Sequence, residues 1–266
     1  MTDNMTSDPS VISQYAEELT KDVAPEIKTV APSNSSVILP GGFIAQDGSL
    51  IKYAEVRELN GMDEEAVSKS GTPGKALAAM LQRGVISIGA NSVDKADLDQ
   101  LLSGDRDALL IGIRRVTFGD TVEFSLTCPH CITELELSVD LNNDIPTKTL
   151  EDPISDRTFT YMSKKHGAIV VGLPTGSVQK KLIENSDKTS SELNTILLAG
   201  CVKSVNGESS IGATTALTLG MADRENIIKE IFERTPGPRL GEVTTTCEAC
   251  GEEIPTPLSL ADLFRL

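Results

Sequence analysis

Long apolar runs, clustered basic residues and histidines are all scarce in this sequence. No apolar stretch approaches the roughly 18 to 20 residues that span a bilayer, so no membrane partner is expected. The polar start MTDNMTSDPS lacks the charged and apolar regions of a signal peptide, which points to a chain made and kept in a cytoplasm. Lys and Arg number 24 against 39 Asp and Glu, a formal net charge of −15. Nucleic-acid binding is dominated by phosphate contacts that need clustered cations, and the pair Arg114-Arg115 is too small a cluster. The expected partners are therefore other proteins. Two histidines are present, His130 and His166, and neither falls in a Ser, Cys or metal-dependent catalytic pattern. The stretch PGGFIAQDG lacks the Lys and Ser/Thr of a phosphate-binding loop, so its glycines are read as turn geometry.

What the sequence does contain is a globular chain with an unusual pair of cysteine motifs. Hydrophobic residues make up 39% of 266, enough for a sizeable core in one large or two ordinary domains. Residues 1–35 are the exception. Rich in Ser, Thr, Asp, Asn and Pro, with one amphipathic stretch from Val11 to Val23, they form an N-terminal arm expected to be disordered alone and to order against a partner. The segment VILPGGFIAQDGSLIKYAEVREL reads as a hairpin turning at Asp47-Gly48, because Asp-Gly suits the positive φ angles of a tight turn. Helical patterns follow at residues 63–68 and 75–82, a short strand at 85–88, and helices near 95–102 and 106–115. Two strands then flank the sequence CPHC.

The second half replays this order. Leu59-Asn60-Gly61 answers to LPTG at 173–176, LQRGVISI at 81–88 to LAGCVKSV at 198–205, Asp105-Arg106 to Asp223-Arg224, and CPHC to CEAC. The offset drifts only from 114 to 119 residues. An internal duplication of roughly 100 to 115 residues accounts for the common order. The expected fold is α+β, with two related α+β halves at 36–145 and 155–266, each ending in a cysteine knuckle.

Four of the five cysteines sit in these knuckles: Cys128, Cys131, Cys247 and Cys250. Reducing conditions disfavour disulfides, and zinc prefers four tetrahedral ligands, of which each C-x-x-C turn supplies two. With 115 residues between the pairs, Ile132 through Thr246, only tertiary folding brings them together. A two-fold relation between repeats would place them face to face in a shared zinc-ribbon-like site, with one structural Zn²⁺ per chain. The rival is a thioredoxin-type redox pair, which normally opens a helix, whereas strand-like segments surround CPHC. Four protein ligands would close the metal sphere and leave no position for substrate. His130 is a weaker candidate ligand than the two better-spaced thiolates beside it. Cys201, in the apolar run TILLAGCV, reads as a buried small residue. Asp105 and Asp223 read as helix N-caps in preference to catalytic carboxylates.

The order LPGGFIAQDGSLIKYAEVRELNGMDEEAV, then Asp105-Arg106, then IRRVTFGDTVEFSLTCPHC and ITELELSV resembles the baseplate hub and hub assembly proteins of contractile-tailed phages. The pieces that carry it are Leu39-Pro40, Val56 to Gly61, Asp105-Arg106, and the R-x-x-x-G-D run from Arg115 to Asp120. They span residues 36–140 and, more faintly, the second half. The resemblance implies a non-enzymatic structural component of a baseplate hub or tail tip in the virion. It would be assembled in the host cytoplasm and bind other phage baseplate and tail proteins in a large hetero-oligomer. A transient assembly chaperone is the alternative within the resemblance. From another class, the alternatives are a zinc-ribbon protein that recruits nucleic-acid enzymes, and a redox or hydrolytic enzyme.

Overall fold

A computed structural model describes residues 35–209, 212–256 and 258–264; apart from Ser35, the expected N-terminal arm lies outside them. The architecture is mixed α+β, with nine α-helices and several small sheets among the described residues. Strands β1 (Ser36–Ile44) and β2 (Leu50–Val56) pair antiparallel around the expected turn. There Gly48 takes φ +83°, and the Asp47 carboxylate accepts from the Ser49 N–H and hydroxyl.

Local chemistry then sets the helix starts. Helix α1 (Gly61–Ser68) begins at Asn60, whose side chain accepts from the Met62 and Asp63 N–H groups while Asp63 accepts from the Asn60 N–H. Such reciprocal caps contribute about 1 kcal/mol. Helix α2 (Pro73–Gly84) has a Thr72 cap and a proline in its first turn, where no intrahelical N–H bond is lost. It runs straight into β3 (Val85–Ile88), and β4 (Asn91–Ser92) completes a sheet of order β1-β2-β3-β4. Helices α3 (Lys95–Gln100) and α4 (Ser103–Phe118) follow. Gly112 lets α4 approach Val37 and Val56 of the sheet. Leu109, Leu110 and Ile113 of that helix share one core with Val37, Ala54 and Val56. A hairpin of β5 (Thr121–Thr127) and β6 (Glu134–Asp140) closes the first half, in register from Thr121↔Asp140 to Thr127↔Glu134.

After a two-residue strand β7 (Thr147–Lys148), the elements recur: β8 (Thr158–Ser163), β9 (Gly167–Gly172), α5 (Gly176–Glu184), α6 (Ser190–Cys201) and β10 (Val202–Val205). Then come α7 (Ala213–Thr218), α8 (Met221–Arg234), β11 (Gly237–Pro238), β12 (Thr244–Thr246), β13 (Glu253–Pro255) and α9 (Leu260–Phe264). With β4, β7, β11 and α9 set aside, one order occurs twice: two strands, two helices, a strand, two helices, and a cysteine hairpin. Gly61 and Gly176 each open a helix, and Val85 and Val202 each open the strand that directly follows one.

The halves are joined along several seams. Each has its own core, the second built on Ile169, Val171, Leu198, Ile227 and Ile231, yet Leu102 of the first half lies in the second core. Full burial of such a side chain contributes roughly 1.5–3 kcal/mol. The Ser103 N–H donates to the Pro174 carbonyl at 2.9 Å, and the Gly176 N–H to that of Leu101 at 2.8 Å. Beyond each cysteine hairpin the chain crosses to the other half. β7 pairs with β11, and α9 lies on α4, where Arg114 Nε donates to the Leu263 carbonyl at 2.8 Å. A third core of Ile111, Val122, Val139, Val243 and Leu263 forms where these paths meet. No helix among the described residues is long and apolar enough to cross a membrane.

Candidate metal centre

The two knuckles share one backbone design. In the first, the Cys128 N–H donates to the Thr133 carbonyl and the Ile132 N–H to the Cys128 carbonyl, both at 2.9 Å. In the second, the Cys247 N–H donates to the Glu252 carbonyl at 2.9 Å and the Gly251 N–H to the Cys247 carbonyl at 2.8 Å. Both turns need a positive φ directly after the second cysteine: +60° at Ile132 and +76° at Gly251. Glycine takes that conformation freely, whereas a β-branched residue is strained in it.

Folding brings all four predicted cysteines together, with their sulfurs within 4.8 Å of one another. Cys128 Sγ lies 3.8 Å from Cys250 Sγ, and Cys131 Sγ lies 3.7 Å from Cys247 Sγ. A tetrahedral zinc with bonds near 2.3 Å spaces its sulfurs by roughly 3.8 Å, a spacing these two cross-knuckle pairs match, and the four sulfurs together could hold a metal ion. Leu135 and Ile254, each four residues after the second cysteine of its knuckle, form one buried cluster with Cys128 and Cys247. Those two cysteines are fully buried, while Cys131 is half-buried and Cys250 exposed. The Thr133 hydroxyl and N–H draw the Cys131 thiol down to about 6. At Cys250 the Glu252 N–H favours the thiolate, but desolvation and the sulfurs of Cys247, Cys131 and Cys128 push the thiol up to about 12. Four neighbouring sulfurs resist ionising together unless a cation is placed among them.

The other singled-out residues fall elsewhere. His130 is exposed, and the cluster of metal-type ligands found among the described residues contains cysteines only. Cys201 is fully buried at the end of α6, where burial pushes its thiol up to about 12, as suits a small core residue.

Asp105 and Asp223 are not N-caps. Those positions belong to Leu102 and Gly220, and both aspartates sit inside the first turn, where they reach other elements. Asp105 Oδ1 accepts from the Gly41 N–H of β1 at 2.6 Å; Asp223 accepts from Ser163 Oγ at 2.7 Å and Tyr161 Oη at 3.1 Å on β8. The arginines behave alike. Arg106 Nη1 donates to the Leu98 carbonyl at 2.9 Å and Arg224 Nη1 to the Ala216 carbonyl at 2.7 Å, each eight residues back. Each Asp-Arg pair thus ties its helix to the first strand of its half and to the preceding short helix. The long reach of these bonds left no local signal except the recurrence of the dipeptide.

Two further details explain sequence features. Arg115 Nε donates to Asp120 Oδ1 at 2.8 Å across Gly119, whose φ of +90° turns the chain from α4 into β5, which accounts for R-x-x-x-G-D. The PGG stretch forms an irregularity in β1, between Ile38 and Phe43. At that point Gly41 leaves room for Asp105, and Arg157 donates to the Gly41 and Gly42 carbonyls. Sequence reasoning missed Arg157, which lies 116 residues from Gly41.

A mixed α+β scaffold sets four cysteines on two facing hairpins, a donor set that could hold a metal ion. The family model described as T4 bacteriophage base plate protein matches residues 75–264, and the chain belongs to that family. The match runs through both halves and both knuckles. No curated protein and no solved structure matches the chain.

Proposed function

We propose that the chain is a non-enzymatic component of the baseplate hub or tail tip, acting through protein contacts, with one structural zinc held by Cys128, Cys131, Cys247 and Cys250. The family match, which covers residues 75–264, carries the baseplate role. The sulfur spacing of 3.7 and 3.8 Å supports the metal, because a closed sphere of four thiolates suits structural zinc. The halves at 36–145 and 155–266 are read as an internal duplication. Its support is the recurring element order, the matching reach of Arg106 and Arg224, and the shared bonding of the two knuckles. The zinc then fastens one repeat to the other.

Two measurements test this reading. Metal analysis of the purified full chain is expected to give one zinc per chain; two, or none after growth in zinc-sufficient medium, would overturn the shared site. Mass spectrometry of purified particles is expected to find the protein at a fixed small copy number. Its absence from particles but presence in unassembled intermediates would replace the component with the transient chaperone.

A further inference from the structure

We propose that the groove between α1, the C-terminal end of α4 and α9 docks a segment of another protein that combines apolar side chains with Lys or Arg. The proposal deepens the reading of the chain as an assembly protein and rests on it. Two hollows of about 390 and 330 Å³ adjoin through Phe118 and Phe264, and a third of about 450 Å³ on the β5–β6 hairpin continues them through Glu123. The deeper hollow has an apolar floor that includes Leu59, Val67 and Met80. Phe118 stands over it 62% exposed, and Met62, on α1, is 74% exposed. Single exposed apolar residues are ordinary, but an exposed ring beside an apolar hollow with a polar rim marks an interaction site.

The wall is preformed. The Arg114 guanidinium lies 4.9 Å from the Phe118 ring centre and donates to the carbonyls of Leu263, Gly119 and Thr121. These anchors fix the Arg114 side chain in the wall, and a groove held open in this way loses little entropy when a ligand enters.

Charge selects the occupant. Glu64, Glu123 and Glu136 line the hollows, and none of them forms an ion pair among the described residues. Residues 1–34 of the chain carry six Asp and Glu against two Lys, and a second copy brings a net charge of −15. Like charges across an interface oppose association, so both the chain's own arm and a second copy are disfavoured against a basic segment of a different protein.

The test is a photoreactive phenylalanine analogue at position 118 of the full-length chain, irradiated in infected cells and mapped by mass spectrometry. The expected product joins position 118 to a segment of a different protein carrying Lys or Arg. The double change Glu64→Lys with Glu123→Lys is expected to lower the yield about tenfold with the melting temperature unchanged. Crosslinks to the chain's own arm or to a second copy, no crosslink, or a yield that ignores the charge reversal would each overturn the proposal. Irradiation in cells captures the neighbour whether the protein stays in the particle or leaves it, so particle composition tests the component reading separately.

Discussion

The first cysteine hairpin is a ribbon of seven paired residues on each strand, whereas the second pairs only three, Thr244↔Pro255 to Thr246↔Glu253. The longer ribbon places Val122 and Val139 in the core between the halves, so much of its fold is held without its sulfurs. The shorter one contributes Val243, just before its first strand, and Ile254 beside the sulfurs. An isolated two-stranded hairpin is marginal in water. With the proposed zinc in place, the unequal ribbons would depend on it unequally: the second knuckle for its own shape, the first mainly for attachment to the second.

The largest expected effect comes from removing one ligand. Cys128→Ser and Cys247→Ser are each expected to abolish zinc binding, because each leaves the tetrahedral sphere one thiolate short, and their double mutant should add little. Structural zinc contributes on the order of 10 kcal/mol in small fingers, a figure that the apolar cores present here should reduce. Zinc content and urea melts check the equality of the two variants. The inequality appears in hydrogen exchange: after chelation, amides of β12 and β13 should exchange well before those of β5 and β6. Simultaneous loss of protection would abolish the distinction between the ribbons.

Next in size is the contrast between the paired aspartates. Asp105 is fully buried with Oδ2 lacking a hydrogen-bond partner, whereas Asp223 is partly exposed and both its oxygens accept bonds. Burial pushes the Asp105 carboxyl up to about 6, against the pull of the Gly41 N–H and the Arg157 charge. A carboxyl raised in the folded state contributes stability that is fully present below its unfolded value near 3.9 and is lost as pH rises through about 6. The span is roughly 3 kcal/mol at about 1.4 kcal/mol per unit. Asp105→Asn should lessen the slope of the stability profile between about pH 4 and 6, and Asp107, whose carboxyl burial also pushes up to about 6, supplies part of the slope that remains. Melts at a series of pH values decide it, and an unchanged slope in the Asp105 variant would remove that carboxyl as its source.

A glycine tests how closely the halves fit. Gly104 of α4 lies under the Pro236-Gly237 backbone, where a Cβ would run into the Pro236 carbonyl oxygen, while the matching residue of α8 is Ala222. Gly104→Ala is expected to destabilise by about 1–3 kcal/mol or more, the usual range for overpacking, and Ala222→Gly by about 1 kcal/mol from helix propensity. Equal losses in denaturant melts would mean that the crossing at Pro236 yields easily.

The smallest effect has the opposite sign. Ile132 is 80% exposed and held at φ +60°, so Ile132→Gly should raise stability by roughly 1 kcal/mol, while Gly251→Ala should lower it by a similar amount. Loss of stability in the Ile132 variant would show that this side chain has a packing role.

Much of this arrangement was legible because its signals are short in range. Asp47-Gly48 marks a turn by its own backbone preference, and each C-x-x-C pair makes its own knuckle. The meeting of the knuckles was legible only through the repeat, since 115 residues lie between them. The aspartates were misread for the same reason. An N-cap is a local bond, whereas Asp105 bonds Gly41, 64 residues away. The β7–β11 pairing and the docking of α9 on α4 left no trace in the sequence pattern, because elements of two to five residues are too short to show a period.

Order of synthesis gives the separation of the knuckles a meaning in time. A ribosome adding about 5 to 20 residues per second needs on the order of 6 to 24 seconds to pass from Cys128 to Cys247. Throughout that interval the first ribbon can be complete and its two thiols in place, with half a coordination sphere and no partner. Under the zinc-site proposal, the ion would meet four thiolates only once the second ribbon has emerged and folded back. Capture of the proposed ion would then be a late event in the life of each nascent chain, and a chain stalled between the knuckles would be distinguishable by its two uncoordinated thiols.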